Sequence, residues 1–140
     1  MTDLPAIVID ASAFLGLFLP DETGKEMESF IKHLIRGNGQ MLVPILFWYE
    51  ILNGLVVSLR RGRITEEELD SVEADMAVLP IVSDQMPAPF IRKRVRDFAR
   101  RYRLSIYDAA YLELAARYRL RLKTLDKHLL QLKDDFDFID

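Results

Sequence analysis

Four carboxylates stand in apolar stretches of this 140-residue chain, where an unpartnered charge is costly. Asp10 closes the run Ala6-Ile7-Val8-Ile9. Glu50 lies between Phe47-Trp48-Tyr49 and Ile51-Leu52. Asp108 opens the segment Ala109-Ala110-Tyr111-Leu112. Asp126 follows Leu120-Arg121-Leu122-Lys123-Thr124-Leu125. Buried carboxylates protonate, pair with a cation or bind a metal, so a metal-dependent enzyme is the first expectation.

The apolar periodicity predicts where these acids fall. Residues 6–9 read as a short buried strand, too short and too β-branched for a helix. Helices are expected over 11–19, stopped by Pro20, over 22–36, ended by Gly37-Asn38-Gly39, and over 45–60, stopped by Gly62. Thr65 with Glu68 forms a capping-box pattern that opens a helix to about Val78. Further helices are expected after Pro87 and Pro89 to Tyr102, over 105–118 and over 126–132. Strands are expected at 41–43, 80–83, 122–125 and 136–139. Short apolar strands alternating with helices predict an α/β fold of three layers, a central parallel sheet flanked by helices. Ligand sites in such sheets lie beyond the carboxyl ends of the strands, where Asp10 and Asp126 are placed. The whole chain, 1–140, reads as one domain without repeats, low-complexity segments or linkers.

Each acid also has a plainer reading. Asp10 and Asp126 can cap the helices that follow them, and Asp108 lies three residues after Ser105, the spacing of a capping box. Glu50 and Asn53 share a helical face and can form one narrow polar stripe. Taken together, the four acids suit a hard cation, because Mg²⁺ and Mn²⁺ prefer oxygen ligands. His33 and His128 fall in no ligand-like spacing, so no zinc site is expected and both read as surface residues. A single Asp10 after the first strand disfavours a receiver domain. Asp10-Ala11-Ser12 is not the Asp-x-Asp of a haloacid-dehalogenase-type phosphatase, and no Gly-rich P-loop is present.

Charge is distributed unevenly. The net charge of −3 does not advertise a nucleic-acid binder, yet residues 91–103 carry seven basic residues against one acid, Asp97. Ile91, Val95, Phe98 and Tyr102 recur there at helical spacing and should face the core. Arg92, Arg96, Arg100 and Arg103 line another face, either a solvated surface or a track for RNA phosphates, to which Arg60, Arg61 and Arg63 can add. Phe47-Trp48-Tyr49 reads as core or homodimer interface rather than as an RNA-stacking platform. The chain lacks cysteine, which fits a reducing cytoplasm. Residues 7–19 are largely apolar but lack a basic leader and are broken by Asp10, and no apolar run reaches membrane-spanning length.

Four motifs, in order along nearly the whole chain, resemble those of the PIN-domain ribonucleases, specifically the VapC-type toxins of toxin–antitoxin pairs. The first is Ile7-Val8-Ile9-Asp10-Ala11-Ser12, similar to the family's Asp-x-Ser. The second runs from Val43-Pro44 to Tyr49-Glu50-Ile51-Leu52-Asn53-Gly54-Leu55, with Glu-x-x-Asn on a helix. The third is Leu104-Ser105-Ile106-Tyr107-Asp108-Ala109-Ala110, and the last is Leu122-Lys123-Thr124-Leu125-Asp126, with Thr-x-Asp. The resemblance implies a PIN-like fold and a Mg²⁺- or Mn²⁺-dependent endoribonuclease. In it Asp10, Glu50 and Asp108 are the core metal ligands, and Asp126 holds the ion directly or through water. Ser12, Asn53 and Thr124 are implied as supporting polar groups. An antitoxin protein that blocks the site is the implied partner, beside the RNA substrate and a second copy of the chain. Leu129-Leu130 stands where some members carry a further acid, a departure that bears on a second metal site. Two other readings remain open: a PIN nuclease of RNA processing or DNA repair without an antitoxin, and a non-catalytic binding module of the same fold.

Overall fold

A computed structural model describes residues 5–18, 20–85 and 87–140. Its centre is a four-stranded parallel sheet in the order β3-β2-β1-β4, formed by β1 (Ala6–Ile9), β2 (Gln40–Val43), β3 (Ile81–Ser83) and β4 (Arg121–Lys123). Val8 pairs with Leu42 on one side of β1 and with Leu122 on the other. Val8, Ile9, Met41, Val43 and Leu122 are fully buried, as expected of strands covered on both faces. The chain steps from β1 to β2 and β3 in one direction and reaches β4 on the opposite side. That reversal makes the carboxyl edge of β1 and β4 a topological switch point.

Helices cover the sheet: α1 (Ala11–Leu15), α2 (Glu22–Arg36), α3 (Leu46–Arg60), α4 (Glu66–Val78), α5 (Pro89–Tyr102), α6 (Ile106–Tyr118) and α7 (Lys127–Leu130). The expected capping box at α4 is present, with Thr65 and Glu68 bonding reciprocally. Gly54 permits a close approach of α3 to α1, since a Cβ there would lie 2.7 Å from Leu15 Cδ1. This contact carries Glu50 toward the start of α1. Phe47 is buried edge-to-face against Phe14 at 5.5 Å. Trp48 donates to Ser83 Oγ at 2.6 Å, whereas Tyr49 is exposed, so the aromatic trio divides between core and surface.

Two expectations need correction. The helix expected over 11–19 is α only to Leu15 and then tightens into a 3₁₀ turn over Gly16–Phe18; Leu19 lies outside the described residues. The strand expected at 136–139 is reduced to a single parallel bridge, Leu122 to Ile139. Phe136 instead packs among Phe98, Tyr102 and Phe138, with centroids 5.0–5.9 Å apart. The Ile139 amide donates back to the Phe136 carbonyl at 3.4 Å, closing a turn that an extended strand excludes.

Candidate active site

The carboxyl end of β1 places Asp10 as the N-cap of α1, buried to 3% exposure. Its Oδ1 accepts from Ser12 Oγ at 2.6 Å and from the Ala13 amide at 2.9 Å. Its Oδ2 accepts from the Thr124 hydroxyl. Both hydroxyls are fixed in turn. Ser12 Oγ accepts from the Leu125 amide at 3.0 Å, and Thr124 Oγ1 accepts from the Asp126 amide at 2.9 Å. Ser12 and Thr124 therefore orient Asp10 and bind the end of β1 to the segment after β4. Asp126 caps α7 through Oδ1, which accepts from the His128 and Leu129 amides at 2.9 and 3.2 Å. Among the described residues Asp126 Oδ2 has no hydrogen-bond partner and is available to a ligand.

Asp10 and Asp126 thus cap helices and face the same site, so the two readings of these residues are compatible. The cap of α6 differs. Ser105 Oγ accepts from the Asp108 amide at 3.0 Å, but among the described residues no return bond from the Asp108 carboxylate reaches the Ser105 amide. Asp108 is left half-buried and directed to the cluster. Glu50 arrives from α3, where its Oε1 accepts from the Tyr111 hydroxyl at 2.7 Å. Asn53, one turn further along α3, is exposed.

These acids act on one another. Burial pushes Asp10 above the ordinary carboxylate range, and Asp126 adds to the rise against the lowering effect of its hydrogen bonds. Burial likewise raises Glu50, reinforced by the charges of Asp10, Asp108 and Asp126. Asp108 is raised by burial and then by Asp126 and Asp10. Four mutually repelling oxygen donors fit a hard divalent cation, which offsets that repulsion and matches their chemistry.

Two members of the site were not expected from the sequence. Tyr111 is 1% exposed and sits 61 positions from Glu50. Burial and the neighbouring Glu50 charge push its hydroxyl far from ionisation, so it remains a donor. His128, read as a plain surface residue, is indeed exposed, but it offers a ring nitrogen within 4.8 Å of ligand oxygens of Asp108 and Asp126. Its place two residues after Asp126, at the start of α7, was the available signal.

Tyr111→Phe keeps the ring and removes the bond to Glu50. It is expected to cost about 1.5–3 kcal/mol at pH 7, the range for hydrogen bonds to charged groups. The cost should shrink near pH 4, where Glu50 is protonated and accepts more weakly. Urea titrations at the two pH values check this, and equal losses would detach Tyr111 from the Glu50 charge.

The basic helix α5 packs against α6, whose first turn carries Asp108. The short connection from α5 to α6, with Arg94 Nε 4.0 Å from the Glu113 carboxylate, sets the two helices antiparallel. Arg100 and Arg103 therefore lie at the Asp108 end. Arg92 lies eight residues before Arg100, about 12 Å away along the helix, and its Nη1 donates to the Pro87 carbonyl at 2.7 Å. Ile91, Phe98 and Tyr102 are partly buried and Val95 is buried, as the spacing predicts. Arg60, at the far end of α3, and Arg61 and Arg63 beyond it are exposed, at least about 15 Å along the axis from Glu50.

Comparison with known proteins agrees with the fold. The family model described as PIN domain matches residues 7–135. Ribonuclease VapC3 of Pyrobaculum aerophilum is 28% identical over 126 residues, spanning 89% of this chain and 92% of that protein. The crystal structure of PAE2754 from the same organism superposes with a TM-score of 0.65 at 27% identity, over 90% of this chain and 86% of that one. A toxin–antitoxin complex from Klebsiella pneumoniae matches at TM-score 0.62 and 18% identity, covering 96% and 95% of the two chains. VapBC2 from Rickettsia felis, bound to a promoter DNA fragment, matches at 0.59 and 14%, covering 96% of each chain. The last two similarities speak to the fold alone.

Proposed function

The chain belongs to the PIN-domain family, and on that premise we propose that it is a divalent-cation-dependent endoribonuclease, the toxin of a toxin–antitoxin pair. The observation that carries the reading is the meeting of Asp10, Glu50, Asp108 and Asp126, from four separate segments, at one end of β1 and β4. A pure binding module has no need of four acids that raise one another's energy. The ribonuclease relative supports RNA as substrate.

The four carboxylates hold the ion, Mg²⁺ or Mn²⁺, and do not attack phosphorus. When bound, such an ion lowers the pKa of water and offsets charge on phosphoryl oxygens. Ser12 and Thr124 fix the Asp10 carboxylate, and Tyr111 fixes Glu50, so the donor set is organised before substrate arrives. Asn53, on the exposed turn of α3 after Glu50, is assigned a supporting role near the ion or its water. Hydrolysis adds water across one P–O bond of the backbone and leaves one new end bearing the phosphate.

The acidic pocket repels RNA, and Arg100 and Arg103, with Arg96 and Arg92 further out, supply the opposing field. Replacing Arg100 and Arg103 together with glutamine is expected to raise KM about tenfold at low salt, to leave kcat nearly unchanged and to flatten the salt dependence. The same change at Arg92 and Arg96 should do less, because that end is further from Asp108. Steady-state cleavage between 50 and 200 mM salt, roughly the range over which phosphate contacts weaken sharply, measures both pairs. An unchanged salt slope in the Arg100 and Arg103 variant would return α5 to a merely solvated face.

An antitoxin is the proposed protein partner, supported by the toxin–antitoxin assemblies that share the fold. Exposed Tyr49 and Leu52 on α3, with Ile106 and Tyr107 on α6, support a homodimer. Among the described residues no helix is long and apolar enough to cross a membrane. Controlled expression followed by sequencing of RNA ends tests the toxin reading. Discrete new ends and arrested growth, both relieved by a small protein encoded beside this gene, are expected. Ends that appear without arrest would favour an RNA-processing nuclease with no antitoxin.

A further inference from the structure

We infer that His128 is a nitrogen ligand of the cation bound here, and that it turns this site toward Mn²⁺ over Mg²⁺. The inference rests on the reading of the carboxylate cluster as a divalent-cation site and goes beyond it in naming a non-carboxylate donor. His128 Nδ1 stands 3.6 Å from Asp126 Oδ1. One donor atom each from Asp108, Asp126 and His128 falls within 4.8 Å of the others. Two donors on one octahedral ion with bonds of ~2.1 Å lie between about 3 Å, when adjacent, and about 4.3 Å, when opposite. The observed separations need only small side-chain rotations to meet that range. The ring is free to make them, since His128 is 72% exposed.

The backbone around the ring is held more firmly than the ring itself. The His128 amide donates to Asp126 Oδ1, so the carboxylate that would bind the ion also fixes the position from which the imidazole projects. Asp126 keeps Oδ2 for the ion while Oδ1 serves the cap. Mn²⁺ also prefers oxygen, but as a first-row transition ion it accepts an imidazole more readily than Mg²⁺, which retains much of its water. A site built only of Asp10, Glu50, Asp108 and Asp126 would discriminate weakly between the two ions. One added nitrogen favours the transition ion.

Calorimetric titration of the full chain with MnCl₂ and with MgCl₂, without RNA, reads the affinities directly. Electron spin-echo modulation of bound Mn²⁺ reads the ligand atom. The wild type should bind Mn²⁺ at least about tenfold more tightly than Mg²⁺ and show nitrogen modulation. His128→Ala should abolish the modulation and weaken Mn²⁺ at least about tenfold while changing Mg²⁺ by less than about threefold. The exposed ring leaves folding intact, and the modulation measurement on the wild type needs no variant. Mn²⁺ binding without nitrogen modulation, unchanged in His128→Ala, would overturn the role of His128 and leave the carboxylate site standing. A wild type that binds neither ion would overturn the carboxylate site and this inference together.

Discussion

Asp108→Asn is expected to lower RNA cleavage by about three orders of magnitude, ~4 kcal/mol of lost transition-state stabilisation, without unfolding the protein. Asparagine keeps the shape and removes the charge that burial and the Asp126 and Asp10 charges disfavour. The metal-free variant should therefore melt higher than the metal-free wild type at pH 7. The sign follows from linkage. Asp10, Glu50 and Asp108 all lie above their ordinary values in the folded chain. The fold thus binds their protons more tightly than the unfolded chain does. Their favourable contribution is complete below the ordinary carboxylate pKa and is lost as pH rises through the folded values. The metal-free wild type should gain stability from this site as pH falls from 7 toward the ordinary carboxylate range, with a shallower gain in the variant. Calorimetric melts across that interval check it. Asp108→Ala should also abolish cleavage, at little cost in stability, because Ser105 Oγ supplies the cap of α6. An alanine variant that is destabilised by about 1–2 kcal/mol, the worth of a lost cap, yet still cleaves would reduce Asp108 to a structural residue.

Glu113→Ala should be strongly destabilising for a change at a charged residue outside the site. Glu113 is 1% exposed and accepts from Arg117 Nε through both oxygens, at 3.0 and 3.1 Å. Arg117 Nη2 also donates to Asp84 at 2.6 Å, joining α6 to the segment after β3. Partial burial alone would make the guanidinium easier to deprotonate, but the bonds to Asp84 and Glu113 more than offset this and hold it charged. Removing Glu113 strands that charge in a half-closed setting. The expected loss is about 3 kcal/mol, near the lower end for a broken buried pair because Asp84 remains. Replacing Glu113 and Arg117 together with methionine should recover part of it, since apolar residues of similar size often substitute for a buried pair at no net cost, while Asp84 loses its partner. Urea denaturation of Glu113→Met, Arg117→Met and the double methionine variant forms the cycle. Equal losses for the single and double variants would mean that packing, not the stranded charge, dominates.

Glu113 also shows what the sequence can and cannot disclose. It interrupts the apolar run from Ala109 to Ala116 much as Glu50 interrupts its own run, and the logic that selects Glu50 selects it equally. What separates them is the partner. Arg117 stands four residues on, on the same helical face, and neutralises Glu113, whereas Glu50 meets a neutral phenol and three acids. Local patterning located most elements, because short apolar runs, Pro20, Pro44 and the Thr65 capping box act within a few residues. The strand expected at 136–139 failed because its alternation matches a strand while its aromatic partners, Phe98 and Tyr102, lie over thirty positions away. Tyr111 was illegible for the same reason. It reads as one more apolar residue of α6 until the fold brings Glu50 to its hydroxyl. Asp10 and Asp126 were legible because two adjacent strands end beside them, whereas Ser12 and Thr124 were marked only by the resemblance to the family's motifs.

The central claim is that these carboxylates hold a divalent cation for RNA hydrolysis. It is tested most directly by incubating the purified chain with a mixed RNA pool in Mn²⁺ or Mg²⁺, in EDTA, and with Asp10→Asn in place of the wild type. Discrete new RNA ends should appear only with the wild type and an added ion. Cleavage that persists in EDTA, or that Asp10→Asn performs at the wild-type rate, would contradict it.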